Sequence, residues 1–462
     1  MDFYKDELLE TCFRDVFQSE KEGRIKIDEF TELEEILNTI RERFKVDDPP
    51  NILIEMQRLE NYIEKYKFEI NEIIINYNLI QILIATTVIA DYDPEQDPTR
   101  HQIALSSFRV VEMLFYKKKY GFILYFVEKN YISIIIENLT HLDPERLILA
   151  LKALNLMIYN YPFYKSEVLK NDAIPILVDL VVTAHDDTSM MLTLWLLFNC
   201  TIEGAGPHLS EIISALEYLA SLQMPQITQF LFYISSNICI SRPVAVAFAN
   251  LPYFNKLINK AMICDNIDLK SASYVLITHI LTWYYEDASE NDPTPRFNYK
   301  SIVRNITRDV EEEVAEESIE TIANIIRYGD IGLILLSENL IERLDDVYED
   351  VEVNFKTSCA LIHSVILHKG NDEIFQAQFE HNALKMMVYA LEGNNQEANN
   401  KILGALIIFF DFLSRTNQLD AAEEQMNEID GFDTLLEHGD SENPSLSSKA
   451  NAILMLFEEN KE

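Results

Sequence analysis

The chain is short of the residues that usually punctuate a fold, and of charge of one sign. It has 11 glycines and 14 prolines in 462 residues, so its turns must rely on asparagine and aspartate. Basic residues number 38 against 76 acidic, a formal net charge of −38. Such a field repels nucleic acid and anionic membranes, which excludes both as partners. No apolar run approaches the length of a membrane helix. The five cysteines, Cys12, Cys200, Cys239, Cys264 and Cys359, are scattered, odd in number and without a CxxC pair. That excludes a disulfide framework and predicts a reduced, intracellular, soluble protein. The opening residues, Met1-Asp2-Phe3-Tyr4-Lys5-Asp6-Glu7, lack the basic-then-apolar order of a secretory signal.

Catalytic signatures are missing too. The nine histidines are dispersed, with no HExxH, no nucleophile elbow and no glycine-rich phosphate loop. Cys359 and His363 share a helix face, a spacing that more often means packing than a thiolate pair. The acidic loop from Asp91 to Asp97 lacks the glycine and final glutamate of a calcium loop. The expectation is a protein with no catalysis, no cofactor and no metal.

What is present is a large packed interior. A hydrophobic content of 48% with 25 Phe and 22 Tyr is far above that of a disordered acidic chain. From about Asn51 onward, apolar residues recur at three and four, so the class is all-α. A short helix, a turn and a longer helix recur as a unit. Phe108, Lys152, Trp195, Tyr233, Val275, Glu320 and Ala360 occupy equivalent slots at intervals of 44, 43, 38, 42, 45 and 40 residues, near the armadillo or HEAT period. Asp47-Asp48-Pro49-Pro50 marks a boundary, because residues before proline resist helix. This predicts an N-terminal segment over 1–48, a solenoid over 49–458 and a tail over 459–462. In the first segment Phe13, Phe17, Leu33, Ile36, Leu37, Ile40 and Phe44 have the spacing of an apolar stripe that packs against the solenoid or a partner.

The candidate surface is the stretch Leu194-Trp195-Leu196-Leu197-Phe198-Asn199 with its echo at Tyr233 and Asn237. Residues four apart share a helix face. An amide can donate and accept at once, and an indole is a good surface for a Lys or Arg stem, so this pattern suits a groove for basic peptides. Glu203, one turn beyond Asn199, can meet a cationic head. Trp283 has no asparagine four residues on and is read as packing.

The end of the chain carries a family resemblance. Phe379-Glu380-His381-Asn382-Ala383-Leu384, Asn399-Asn400-Lys401-Ile402-Leu403-Gly404-Ala405-Leu406, Ile429-Asp430-Gly431-Phe432-Asp433-Thr434-Leu435-Leu436 and Lys449-Ala450-Asn451-Ala452-Ile453-Leu454 resemble the last repeats of importin alpha in order and spacing. The resemblance extends from about Asn51 to Phe457. It implies a right-handed superhelical solenoid of about ten armadillo repeats. It also implies an adaptor that carries cargo bearing basic localisation signals between cytoplasm and nucleus, with importin β and the adaptor's exporter as further partners. Trp195 and Asn199 match a full Trp/Asn pair of that family's groove, and Tyr233 with Asn237 a softened one. Asn324 keeps the amide of a further repeat where Glu320 replaces its Trp. Asn160 stands where the family has a lysine-selecting aspartate. The match fails at Phe108 with Glu112, Lys152 with Leu156, Val275 with His279 and Ala360 with Ser364. Lys152 in the groove is expected to repel a basic ligand. Glu22 to Leu33 resembles the importin β-binding segment, yet residues Arg14 to Lys45 carry seven basic and nine acidic side chains and leave no cationic stripe. The second reading is an armadillo scaffold that has lost the transport role.

Overall fold

The structure, a computed structural model, describes residues 27–65, 79–87, 97–116, 126–160, 162–170, 172–184, 186–202, 206–286 and 294–459. Every regular element among them is a helix, and the chain divides into two contact units, 1–200 and 201–462. In the first unit the long helices are α1 (Ile27–Lys45), α2 (Pro49–Lys65), α3 (Pro98–Tyr116), α4 (Pro144–Asn160) and α5 (Asp187–Thr201). α1 packs on α2, α2 on α3 and α3 on α4. The second unit continues with α6 (Pro225–Ile238), α7 (Ile267–Tyr284), α8 (Glu312–Ile325), α9 (Val353–Lys369), α10 (Gln396–Arg415) and α11 (Pro444–Glu459), each packed on the next. This succession is that of a helical solenoid, in which every unit touches its sequence neighbours.

Local chemistry sets where these helices begin. Asp97, Asp143 and Asp186 accept the backbone N–H of Arg100, Arg146 and Ser189 at 3.1, 3.2 and 2.8 Å, opening α3, α4 and α5. Asn266 and Asn395 do the same for α7 and α10 at 2.8 and 3.1 Å. Each such cap contributes about 1 kcal/mol by satisfying an otherwise orphaned donor.

Before each of α9, α10 and α11 lie two short helices rather than the single one expected. Ile331 to Leu335 and Leu340 to Val347 fall in separate helices before α9, as do Asp372–Glu380 and Ala383–Leu391 before α10, and Leu419–Glu428 and Gly431–Gly439 before α11. The splits fall at Asn339, Asn382 and Asp430, whose φ angles of 59°, 55° and 53° are left-handed. Asn130 and Asp172 make the same joint in the first unit, at 59° and 49°. Asparagine and aspartate thus take the place of glycine at the joints, since their short polar side chains tolerate this conformation best among the L-residues.

Side chains tie each repeat to the next. Asn155 Nδ2 reaches the Leu192 carbonyl of α5 at 3.0 Å, 37 residues away. In the second unit, Arg242 reaches the Tyr284 carbonyl 42 residues on, and Glu316 accepts the Glu352 N–H at 2.9 Å, 36 residues on. Lys449 Nζ donates to the Asn400 carbonyl at 2.8 Å across 49 residues. Gly404 leaves room for that ammonium, because a Cβ there would sit 3.3 Å from Nζ.

The N-terminal stripe is part of the same packing. Leu33, Ile36, Leu37 and Ile40 are buried between α1 and its neighbours, whereas Phe44 is exposed, and Phe13 and Phe17 lie outside the described residues. Each buried aliphatic contributes about 2 kcal/mol by leaving water. The Asp47-Asp48 boundary is a turn, with Asp47 left-handed at φ 50° and paired to Arg100 of α3 at 2.7 Å.

The left-handed joints predict a specific asymmetry in mutants. Asn339→Val should lower stability by about 1–2 kcal/mol, because a β-branched residue resists positive φ, while Asn339→Gly should lie within about 0.5 kcal/mol of wild type. Urea unfolding monitored by circular dichroism measures both. Equal midpoints for the two variants would show that the joint carries no conformational demand.

Candidate functional site

In the first unit the sequence-predicted residues are turned inward. Trp195 on α5 is only 6% exposed and Asn199 7%. Asn199 Nδ2 donates to the Trp195 carbonyl of its own helix at 3.0 Å. The expected aromatic plane is therefore covered, because α5 is flanked by Leu194, Leu196 and Leu197, all fully buried. Asn160, in the last turn of α4, donates to the Phe115 carbonyl of α3 at 3.1 Å and serves as a tie between helices. Glu203 lies outside the described residues.

Four charges on α2 to α4 offset one another. Burial raises the Glu112 carboxyl, and the Lys152 ammonium and then the Arg109 guanidinium oppose that rise. Arg109 also lies 3.7 Å from Glu60, which accepts from the Ser106 hydroxyl at 3.2 Å. Lys152 is accordingly matched by a neighbouring carboxylate rather than presented alone to a ligand.

In the second unit a different set comes together. Tyr233 and Asn237 on α6 are half-buried, and Asn237 Nδ2 lies 3.4 Å from the Thr201 hydroxyl. On α7, His279 fills the amide slot and its Nδ1 donates to the Ser236 carbonyl of α6 at 3.0 Å. Burial lowers its pKa, and the bond to Ser236 opposes that. One turn beyond, Trp283 is half-buried, with part of its ring packed and part accessible. Val275, His279 and Trp283 form a half-buried stripe of α7, and Glu286, just past the end of that helix, is exposed. The matching stripe of α8 is Glu313, Glu317, Glu320 and Asn324, of which Glu313, Glu320 and Asn324 are exposed. Tyr285 and Tyr328, just past the ends of α7 and α8, stack at 4.9 Å with an interplanar angle of 15°, so the two C-termini are level.

This flank of α7 and α8 thus holds an indole, carboxylates and an amide on neighbouring helices. An indole face attracts a cation and covers its aliphatic stem, and carboxylates meet the charged head. Sequence reasoning missed Trp283 because it sought an asparagine four residues on. The signal that could have found it is its register with His279 and Val275 on the polar side of α7.

Cys359 and His363 of α9 are both fully buried. Burial pushes the thiol up to about 12 and the imidazole down to about 4, so neither is ionised at neutral pH and they form no thiolate–imidazolium pair. Among the described residues no three His, Cys, Asp or Glu side chains are grouped to hold a metal ion, and no helix is long and apolar enough to cross a membrane.

Comparison with known proteins places the fold alone. No family model matches the chain, and no curated protein does. Among solved structures, an engineered protein crystallised by the Northeast Structural Genomics Consortium aligns over 92% of this chain and 99% of its own, with a TM-score of 0.67. The identity is 13%, so the likeness is one of helical architecture.

His363 makes stability depend on pH. Its folded pKa, about 4, lies below the ordinary 6.5, so the unfolded chain binds the proton first as pH falls. Stability is therefore full above about pH 6.5 and drains away toward pH 4, with roughly 3 kcal/mol at stake from this group. Gln378, Asp345 and His381 are its polar neighbours, the first two favouring the proton and the last opposing it. Unfolding of wild type and His363→Leu at pH 7 and pH 4.5 should show a smaller loss in the variant. Identical losses would mean that the imidazole does not control the transition.

Proposed function

We propose that the chain is an adaptor of the importin alpha type, an armadillo solenoid of about ten repeats that takes a cationic segment of a cargo protein and works between cytoplasm and nucleus. The feature on which this reading rests is the occurrence, on two helices packed against each other, of a half-buried indole near the end of α7, Trp283, and exposed Glu320 and Asn324 in the last turns of α8. The net charge of −38 and the resemblance of residues 379–457 to the last repeats of that family support it.

In this reading the cargo groove is centred on α6 to α8. Tyr233 and Trp283 would cover Lys or Arg stems, the glutamates would meet their heads, and Asn237 and Asn324 would hold backbone. Binding does not extend as a basic-peptide groove through α3 and α4, where Glu60, Arg109, Glu112 and Lys152 balance one another. That self-neutralised flank, with the burial of Trp195 and Asn199, favours the second reading, a scaffold without transport. Capture of importin β from native extract separates the two, because only the adaptor requires it.

A lysine-rich localisation peptide should bind the full-length protein, and Trp283→Ala should weaken it about 30-fold, the loss of roughly 2 kcal/mol expected for a hot-spot aromatic. Glu320→Gln should weaken it less, and raising salt from low to high should lower affinity for wild type steeply. Anisotropy titration measures all three. Unchanged affinity in Trp283→Ala would remove α7 from the binding surface.

A further inference from the structure

We propose that an apolar pocket on the short-helix side of the second unit is a docking site for one aromatic side chain of a partner protein whose neighbouring residues are basic. The pocket lies where the helices Leu209–Leu222, Arg242–Asn250 and Pro252–Ala261 meet, and it shares no lining residue with α7 or α8. Leu216, Ala220, Phe248, Leu251 and Phe254 line it. Its volume is about 250 Å³, below the roughly 300–1,000 Å³ of sites for drug-sized molecules and sufficient for a single large side chain.

The walls are built and rigid. Phe248 and Phe254 stack at 5.0 Å with an interplanar angle of 19°, and Phe254 meets Phe232 of α6 edge-on at 6.2 Å. The Tyr253 hydroxyl donates to the Ala220 carbonyl and bridges two of the helices, while the ring remains 46% exposed at the mouth. Phe248 and Phe254 are buried in the floor, so the half-exposed Tyr253 ring is the one that can pair with another aromatic, and such a pair adds about 0.5–1.5 kcal/mol beyond area burial. An anchor in a preformed pocket is the arrangement that concentrates binding energy at protein interfaces.

Charge selects the residues around that anchor. Glu217 is the one ionisable group among those lining the pocket other than Tyr253, and it is exposed. With the chain at −38, an acidic partner would be repelled on approach, whereas a lysine or arginine beside the aromatic would meet Glu217 at the rim. The occupant is thus a basic segment with one inserted aromatic. It is not a second copy of this chain, whose like charge opposes association.

The test uses full-length protein carrying Trp283→Ala, so that binding on the flank of α7 and α8 is suppressed. Three fluorescein-labelled peptides serve as probes: Gly-Lys-Lys-Trp-Lys-Gly, the same peptide with Gly for Trp, and the same with Glu for each Lys. The first should bind saturably and the other two at least tenfold more weakly. Ala220→Leu, which fills the pocket, should cost at least tenfold, and the exposed Glu217→Lys should cost about threefold or more without touching the core. Equal binding of the Trp and Gly peptides would overturn the proposal. So would affinity that neither variant changes, which would assign the contact to diffuse charge. Loss of peptide binding on Trp283→Ala alone, with the pocket variants silent, would support the flank and overturn the pocket.

Discussion

Everything in this structure depends on one constraint: a long helix can bury its sides only against the long helices one repeat before and after it. α6 to α11 form such a succession in the second unit, and α1 to α4 in the first. The hydrogen bonds follow the same rule, because ties such as Arg242 to Tyr284 and Lys449 to Asn400 span 42 and 49 residues, one repeat each. Short helices cover a third side, as Arg242–Asn250 and Pro252–Ala261 cover α7. One flank per helix remains, so any extended ligand must be read there.

That flank has two competing uses. Its amides can hold a ligand or can stitch helices together, and several are spent on stitching. Asn160 bonds to Phe115 and His279 to Ser236, each crossing to the preceding long helix. Asn199 bonds within its own helix. A donor committed to a neighbouring carbonyl is satisfied, and breaking it costs about 1 kcal/mol before any ligand bond is gained. The places left for recognition are those where side chains are long, charged and exposed, which explains why Glu313 and Glu320 stand out on α8.

Much of this architecture was legible in the residues. The shortage of glycine pointed to asparagine and aspartate joints, and Asn130, Asp172, Asn339, Asn382 and Asp430 occupy them. The stripe Leu33, Ile36, Leu37 and Ile40 announced a helix packed on one side. The second short helix before α9, α10 and α11 was not legible, because a left-handed asparagine or aspartate interrupts the helix without breaking its apolar rhythm. Nor was the burial of Trp195. Spacing of four places Trp195 and Asn199 on one face, but α5 is apolar around its circumference, and periodicity cannot tell an open face from a covered one when every face is hydrophobic. Trp283 differs because Thr278, His279 and Thr282 surround it with polar side chains, a signal of an open flank that the search for asparagine passed over.

The most direct test of the account is to locate a bound cationic segment on the full-length protein. A lysine-rich peptide carrying a photo-activatable lysine analogue, cross-linked at moderate salt and mapped by mass spectrometry, reports contact rather than affinity. The account predicts cross-links concentrated on Tyr233 to Asn237, Val275 to Glu286 and Glu313 to Asn324. Cross-links spread over the acidic surface, such as Asp420 to Glu428, with none on those three stretches, would contradict it.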